Sequence, residues 1–161
     1  MIDDIIATPR ICRAHGAPIL SRGGGTSLSG ETVNYAVVID HSKYLRQLLH
    51  IDQEQRLVTV QTGVINDQVN EALKPYDLLF PADPSTHTWC TIGGNIGTNS
   101  CGVHSVHSQF HGHGPRTPDN VQSLDILTYG GVRMTLKDCY SEDEITRIKK
   151  GSAIGSHITR L

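Results

Sequence analysis

The sequence is short of aromatic residues, paired cysteines, long apolar runs and any excess of one charge, and each shortage removes a class of protein. Aromatic side chains make up 5% of the chain and hydrophobic residues 37%, a modest supply for the single core that 161 residues can bury. Fourteen lysines and arginines stand against sixteen acidic residues, a formal charge of -2 with no basic stripe, so the electrostatic footprint of a nucleic-acid binder is missing. No apolar run approaches the ~20 residues of a membrane span, and Met1-Ile2-Asp3-Asp4 lacks the basic-then-apolar order of a secretory signal. The chain is therefore expected to be soluble and cytoplasmic, with a peripheral seat on the inner face of a membrane left open. Cys12, Cys90, Cys101 and Cys139 are scattered without a Cys-x-x-Cys pair, which argues against a structural zinc site or a disulfide scaffold and for reduced thiols.

Glycine, by contrast, is abundant: sixteen residues, gathered at Gly23-Gly24-Gly25 with Gly30, at Gly93, Gly94, Gly97 and Gly102, and at Gly112 and Gly114. Ordering glycine is entropically expensive, so clusters mark backbone that turns sharply or approaches something closely. Around them, Ile2, Ile5, Ile6 and Cys12 have roughly helical spacing up to His15-Gly16, although Pro9 costs an interior helix about 3 kcal/mol. Pro18-Ile19-Leu20 reads as a short strand feeding the first glycine loop, and Tyr35 to Ile39 as a buried strand ending at Asp40. Leu48 to Ile51 and Leu57 to Gln61 alternate as a strand pair around Asp52-Gln53-Glu54-Gln55, and Ile65, Val69, Ala72 and Leu73 mark one face of a helix that Pro75 ends. Thr91 to Asn99 reads as a glycine-interrupted turn of helix. Val121 to Tyr129 and Val132 to Leu136 form a hairpin across Gly130-Gly131, and Ser141 with Glu144 caps a charged helix. Interleaved strands and helices give an α+β or mixed α/β class. Both ends look abrupt, at a first helix and at Ile158-Thr159-Arg160-Leu161, so a fragment is expected.

Ser21-Arg22-Gly23-Gly24-Gly25-Thr26-Ser27-Leu28-Ser29-Gly30 sets three glycines beside hydroxyl residues and an arginine. Consecutive N–H groups in such a turn converge into an anion-binding nest that suits a phosphate, while a flexible surface turn explains the glycines alone equally well. Two common phosphate loops fail here. Gly25 to Thr32 has P-loop spacing but Glu31 in the lysine position, where its charge repels phosphates, and Gly23-x-Gly25 is followed by Leu28 where a Rossmann fingerprint needs its third glycine.

The second cluster supplies the missing context: Phe80-Pro81-Ala82-Asp83-Pro84-Ser85, then Thr91-Ile92-Gly93-Gly94-Asn95-Ile96-Gly97-Thr98-Asn99-Ser100. Together the segments resemble the FAD-binding (PCMH-type) domain of the vanillyl-alcohol oxidase and p-cresol methylhydroxylase superfamily, in its glycolate oxidase and D-lactate dehydrogenase branch. That branch looks like Arg-Gly-x-Gly-Thr-Ser-Leu-x-Gly, Pro-x-Asp-Pro, then Thr-Ile-Gly-Gly-Asn. The resemblance runs from about Ile5 to Leu136. It implies an α+β, two-subdomain FAD-binding domain over residues 1–137, truncated at its N-terminus, with 138–161 opening a helical connection to a cap domain that the chain lacks. It implies that Arg22, Gly23, Gly24, Gly25, Thr26 and Ser27 wrap the pyrophosphate of flavin adenine dinucleotide (FAD), and that Pro81, Asp83, Thr91, Gly93, Gly94, Asn95, Thr98 and Asn99 line the rest of the pyrophosphate and the flavin side. Asp83 as a turn residue, and Asn95 and Asn99 as structural amides, are the alternatives. The strand Val121 to Leu127 would border the adenine or ribose, though a plain core strand explains its apolar residues as well. Some relatives bind flavin covalently through a histidine in the first loop; this loop has none, so noncovalent FAD is expected.

His104, His107, His111 and His113 depart from the family pattern, which Arg116 and Asn120 resume. Imidazoles are common metal ligands, but this spacing matches no standard zinc motif, and a polar loop is the simpler reading, so no metal is expected. The resemblance implies an FAD-linked oxidoreductase in which a D-2-hydroxy acid of the lactate or glycolate type gives a hydride to flavin. Because the family's cap domain carries most of the substrate groups, no catalytic residue is assigned. The alternative is a non-catalytic flavin-binding or interaction module that needs a partner chain to supply the cap.

Overall fold

A computed structural model describes residues 2–103 and 116–137, in two compact units divided after Asn120. The first unit opens on helix α1, Ile2–Ala14, with Asp3 and Asp4 in its first turn and Arg13 in its last, charges that complement the helix dipole. The helix runs through Pro9, which with Cys12 is its buried residue, and the Thr8 hydroxyl donates back to the Asp4 carbonyl at 2.7 Å. Gly16 closes it in the left-handed region at φ +64, where the N–H groups of Gly16 and Ala17 donate to the carbonyls of Arg13 and Cys12, a Schellman ending.

Strands β1 (Ile19–Arg22) and β2 (Val37–Asp40) pair in parallel, Ile19 opposite Val37 through Arg22 opposite Asp40. The first glycine loop leaves the end of β1 as expected, but the second strand is not buried. Tyr35 is 99% exposed and precedes the strand, and Val37 and Val38 are exposed within it. The physical reason is the pairing: among the described residues β2 has β1 as its one partner, whereas parallel strands are buried where layers cover both faces. Apolar composition reported strand propensity correctly and burial wrongly.

Strands β3 (Leu48–Asp52) and β4 (Leu57–Val60) form the expected antiparallel pair, its turn held by Asp52, whose carboxylate accepts from the Gln55 N–H at 2.9 Å. Helix α2, Asn66–Leu73, follows, and Pro75 lies in a short 3-10 turn, Lys74–Tyr76, that ends it. Val69 and Leu73 of α2 meet Val64 and Ile92 in the buried core, with Ile51, Val58, Val60, Leu78, Phe80 and Ile96 packed around them. Helix α3 spans Ile92–Gly97, and a 3-10 turn covers Thr117–Asn120.

The second unit contains the expected hairpin, β5 (Ser123–Leu127) against β6 (Arg133–Lys137), closed by Gly131 at φ +84. One face pairs Leu124 with Leu136 and Ile126 with Met134; on the other, Thr135 donates to Asp125 at 2.5 Å. Among the described residues no helix is long and apolar enough to cross a membrane. The helix expected from Ser141 and the histidine stretch from His104 lie outside the described residues.

Candidate cofactor site

At the end of β1 the chain enters Gly23-Gly24-Gly25, and this loop rests on the second glycine segment. A Cβ added at Gly23 would lie 2.2 Å from Oγ1 of Thr91, and one at Gly24 would lie 2.2 Å from the main-chain oxygen of Trp89. A side chain is excluded at Gly24 because two stretches of backbone touch, and at Gly23 because the Thr91 hydroxyl occupies the space. Gly25 adopts φ +70, and the Arg22 guanidinium folds over it, 2.7 Å from where a Cβ would stand. Among the described residues none accepts a hydrogen bond from the N–H groups of Gly23, Gly24 or Gly25. Successive unspent N–H groups beside a guanidinium are the chemistry of an anion nest.

The second segment is anchored from below. Thr62 to Asn66 pairs with Cys90 to Gly93: the N–H groups of Gly93 and Ile92 donate to the carbonyls of Thr62 and Val64, and that of Asn66 to Cys90. Thr91 is 1% exposed and caps α3, its Oγ1 accepting from the Gly94 N–H at 3.2 Å. Replacing it by valine removes the cap oxygen at nearly constant volume, so urea unfolding should show a loss of about 1 kcal/mol. Asn99, at φ +51, ends α3 in a second Schellman motif: its N–H donates to Ile96 and that of Ser100 to Asn95.

The sequence-predicted residues therefore divide. Gly23, Gly24, Thr91 and Gly94 come together at the junction of the two segments. Gly93 is pressed against Thr62, and Asn95, 1% exposed, donates its amide to Asn66 at 3.3 Å, so both support the site from within. The Ser27 hydroxyl donates to the carboxylate of Glu31, and Thr98 Oγ1 donates to the Gly94 carbonyl at 2.9 Å. Thr26 is half-buried in the loop. Pro81 and Asp83 are half-buried, and Asp83 packs against Gly102 so closely that a Cβ on Gly102 would lie 1.9 Å from its main-chain oxygen. Sequence reasoning missed Trp89, Thr62 and Asn66, because their parts are played by main-chain atoms or by a buried amide, which leave no motif.

Two groups near the junction have displaced protonation equilibria. Burial is the main influence on His41 and pushes its pKa below the ordinary value, against the smaller opposite pull of the Asp40 carboxylate. Its Nδ1 lies 3.1 Å from Thr62 Oγ1, and its N–H donates to the Arg22 carbonyl, so it braces β1 against the second segment. A histidine with a lowered folded pKa favours the native state when neutral. Its contribution is present above the unfolded pKa of about 6.5 and is lost as pH falls below that value, where the unfolded chain binds the proton first. The urea midpoint is thus expected to fall between pH 7.5 and 5.5, and His41→Gln to flatten that part of the profile. Burial likewise pushes the Cys90 thiol up, keeping it protonated beneath the loop.

Glycine N–H groups without acceptors among the described residues, beside a guanidinium and on an α+β scaffold, have the chemistry that suits a phosphorylated cofactor. The chain belongs to the FAD binding domain family, whose profile matches residues 1–137. D-2-hydroxyglutarate dehydrogenase of Pantoea ananatis is 37% identical over 110 residues, 68% of this chain and 10% of that protein. The glycolate oxidase subunit GlcD of Bacillus subtilis is 39% identical over 105 residues, 65% of this chain and 22% of its own length. In fold, 6-hydroxy-D-nicotine oxidase from Arthrobacter nicotinovorans superposes with a TM-score of 0.68 over 84% of this chain and 28% of that one, at 18% identity. The chain thus spans about a tenth of the length of the first of these relatives.

Proposed function

We propose that residues 1–137 hold noncovalent FAD for an oxidoreductase acting on a D-2-hydroxy acid, with 138–161 leading toward the part that binds substrate. The observation that carries the cofactor assignment is the nest: three glycine N–H groups without acceptors among the described residues, in a cradle that a Cβ on Gly23 or Gly24 would fill. Gly23, Gly24 and Gly25 would hold the pyrophosphate through main-chain N–H groups, with Arg22 adding charge and Thr26 and Ser27 hydroxyls. Thr91 and Gly94 would support the facing side, with Pro81, Asp83, Gly93, Asn95, Thr98 and Asn99 completing or bracing it. The bound flavin supplies the two-electron acceptor for the substrate α-hydrogen.

The substrate class rests on the relatives named D-2-hydroxyglutarate dehydrogenase and glycolate oxidase. A second reading is a non-catalytic flavin-binding or interaction module that works with a partner chain. The cytoplasm is the proposed compartment, consistent with reduced cysteines. The test is anaerobic mixing of the FAD-loaded chain with D-lactate, glycolate and D-2-hydroxyglutarate, alone and after co-expression with the polypeptide encoded next to it. Bleaching of the flavin bands by one of these acids supports the oxidoreductase, and by which acid identifies its substrate. Bleaching only in the co-expressed sample supports the module that needs a partner, and none in either sample contradicts the hydroxy-acid reading.

A further inference from the structure

The widest tie among the pieces of the site is made by a residue outside both glycine segments. Asn66, the first residue of α2, is 0% exposed. Its Nδ2 donates to the carbonyl of Ala82 at 3.1 Å, its Oδ1 accepts from Nδ2 of Asn95 at 3.3 Å, and its main-chain N–H donates to Cys90 at 3.1 Å. One residue therefore joins the Pro81-Ala82-Asp83 segment, the stretch leading into Thr91, and helix α3. The amide has one workable orientation. Turned over, it would set its oxygen against the Ala82 carbonyl and its NH2 against the NH2 of Asn95. Ala82 and Asn95 are each 1% exposed, so water does not substitute for either contact.

The neighbouring helix positions explain why this is not ordinary core packing. Val69 and Leu73 supply the apolar contacts of α2 with Val64 and Ile92, while Asn66 directs both ends of its side-chain amide toward segments assigned to the cofactor. A buried amide with both ends paired specifies relative position, because a shift of either segment leaves a polar group unsatisfied. We infer that Asn66 is a positioning residue of the FAD site, setting the spacing between the Pro81–Asp83 segment and α3; this rests on the FAD reading above.

Asn66→Asp provides a test that a simple loss of packing would not mimic. A protonated carboxyl has the shape of the amide and can donate to Ala82 while accepting from Asn95; an ionised one cannot donate. Burial raises the pKa of such a carboxyl, so the protonated form extends above the usual carboxylate range. FAD affinity of Asn66→Asp, divided by that of the unaltered chain at each pH to remove the His41 contribution, is expected to lie near one in acid. It should fall at least about tenfold as the carboxyl ionises, a loss of about 1.4 kcal/mol. Asn66→Leu should lose at least as much at every pH, with far-UV circular dichroism and cooperative melting retained at the pH of each titration. Ratios near one at all pH values in both folded variants overturn the inference. So does loss of affinity only in step with loss of folding, which would make Asn66 a residue of the fold alone. If the unaltered chain takes up no FAD, the cofactor reading itself fails and the inference falls with it.

Discussion

Replacing Gly24 with alanine is expected to lower FAD affinity at least about 100-fold, equivalent to about 2.7 kcal/mol. The new Cβ would stand 2.2 Å from the main-chain oxygen of Trp89 and 3.0 Å from its carbonyl carbon, and neither can move aside as a flexible side chain would. Trp89 is held by hydrogen bonds around the Thr86–Cys90 turn, and that turn is tied to α2 through Asp67 and His87, whose carboxylate and Nδ1 lie 2.7 Å apart. Relief must then come from the loop, which displaces the N–H groups proposed to hold the pyrophosphate. Gly97→Ala is the matched control. A Cβ there meets nothing within 4 Å, so affinity should be unchanged, and helix propensity predicts a gain of up to about 1 kcal/mol in stability. Titration of both variants with FAD, followed by flavin absorbance, separates a contact at the junction from a general intolerance of glycine replacement.

Leu73→Ala is expected to produce the largest loss of stability, about 2–5 kcal/mol, from lost transfer energy and the cavity left behind. Leu73 is 4% exposed and sits in the cluster with Val64, Val69 and Ile92, the buried apolar centre of the first unit. A domain of this size has about 5–15 kcal/mol in total, so the urea midpoint should fall steeply with little change in slope. Leu79→Ala, at a position 71% exposed, should stay within about 0.5 kcal/mol. Because Leu73 and Asn66 lie on one helix, the pair also distinguishes support of the core from support of the site.

Where periodicity or turn chemistry dictated structure, the sequence was readable. The β3–β4 pair, the α2 face at Val69 and Leu73, and the hairpin closed at Gly131 all follow from alternation, helical spacing and glycine. The two glycine segments stood out in sequence because glycine clusters are a local signal, and the structure brings them together at Gly23, Gly24, Thr91 and Gly94. What escaped depends on contacts distant in sequence. Tyr35 to Ile39 is apolar enough for a buried strand, yet burial depends on what lies over β2, which no local pattern encodes. Asn95 and Asn99 look alike in sequence, but one is an internal amide paired with Asn66 and the other a helix terminator in the left-handed region. Pro9 counted against the helix that the spacing of Ile2, Ile5, Ile6 and Cys12 suggested, and α1 runs through it.

The most direct test of the central claim is an absorption spectrum of the purified chain before and after reconstitution with FAD, followed by acid precipitation. Flavin bands at one equivalent per chain, with the flavin released into the acid supernatant, are the expected result and support noncovalent binding at the glycine nest. A folded chain that stays colourless at saturating FAD would contradict it.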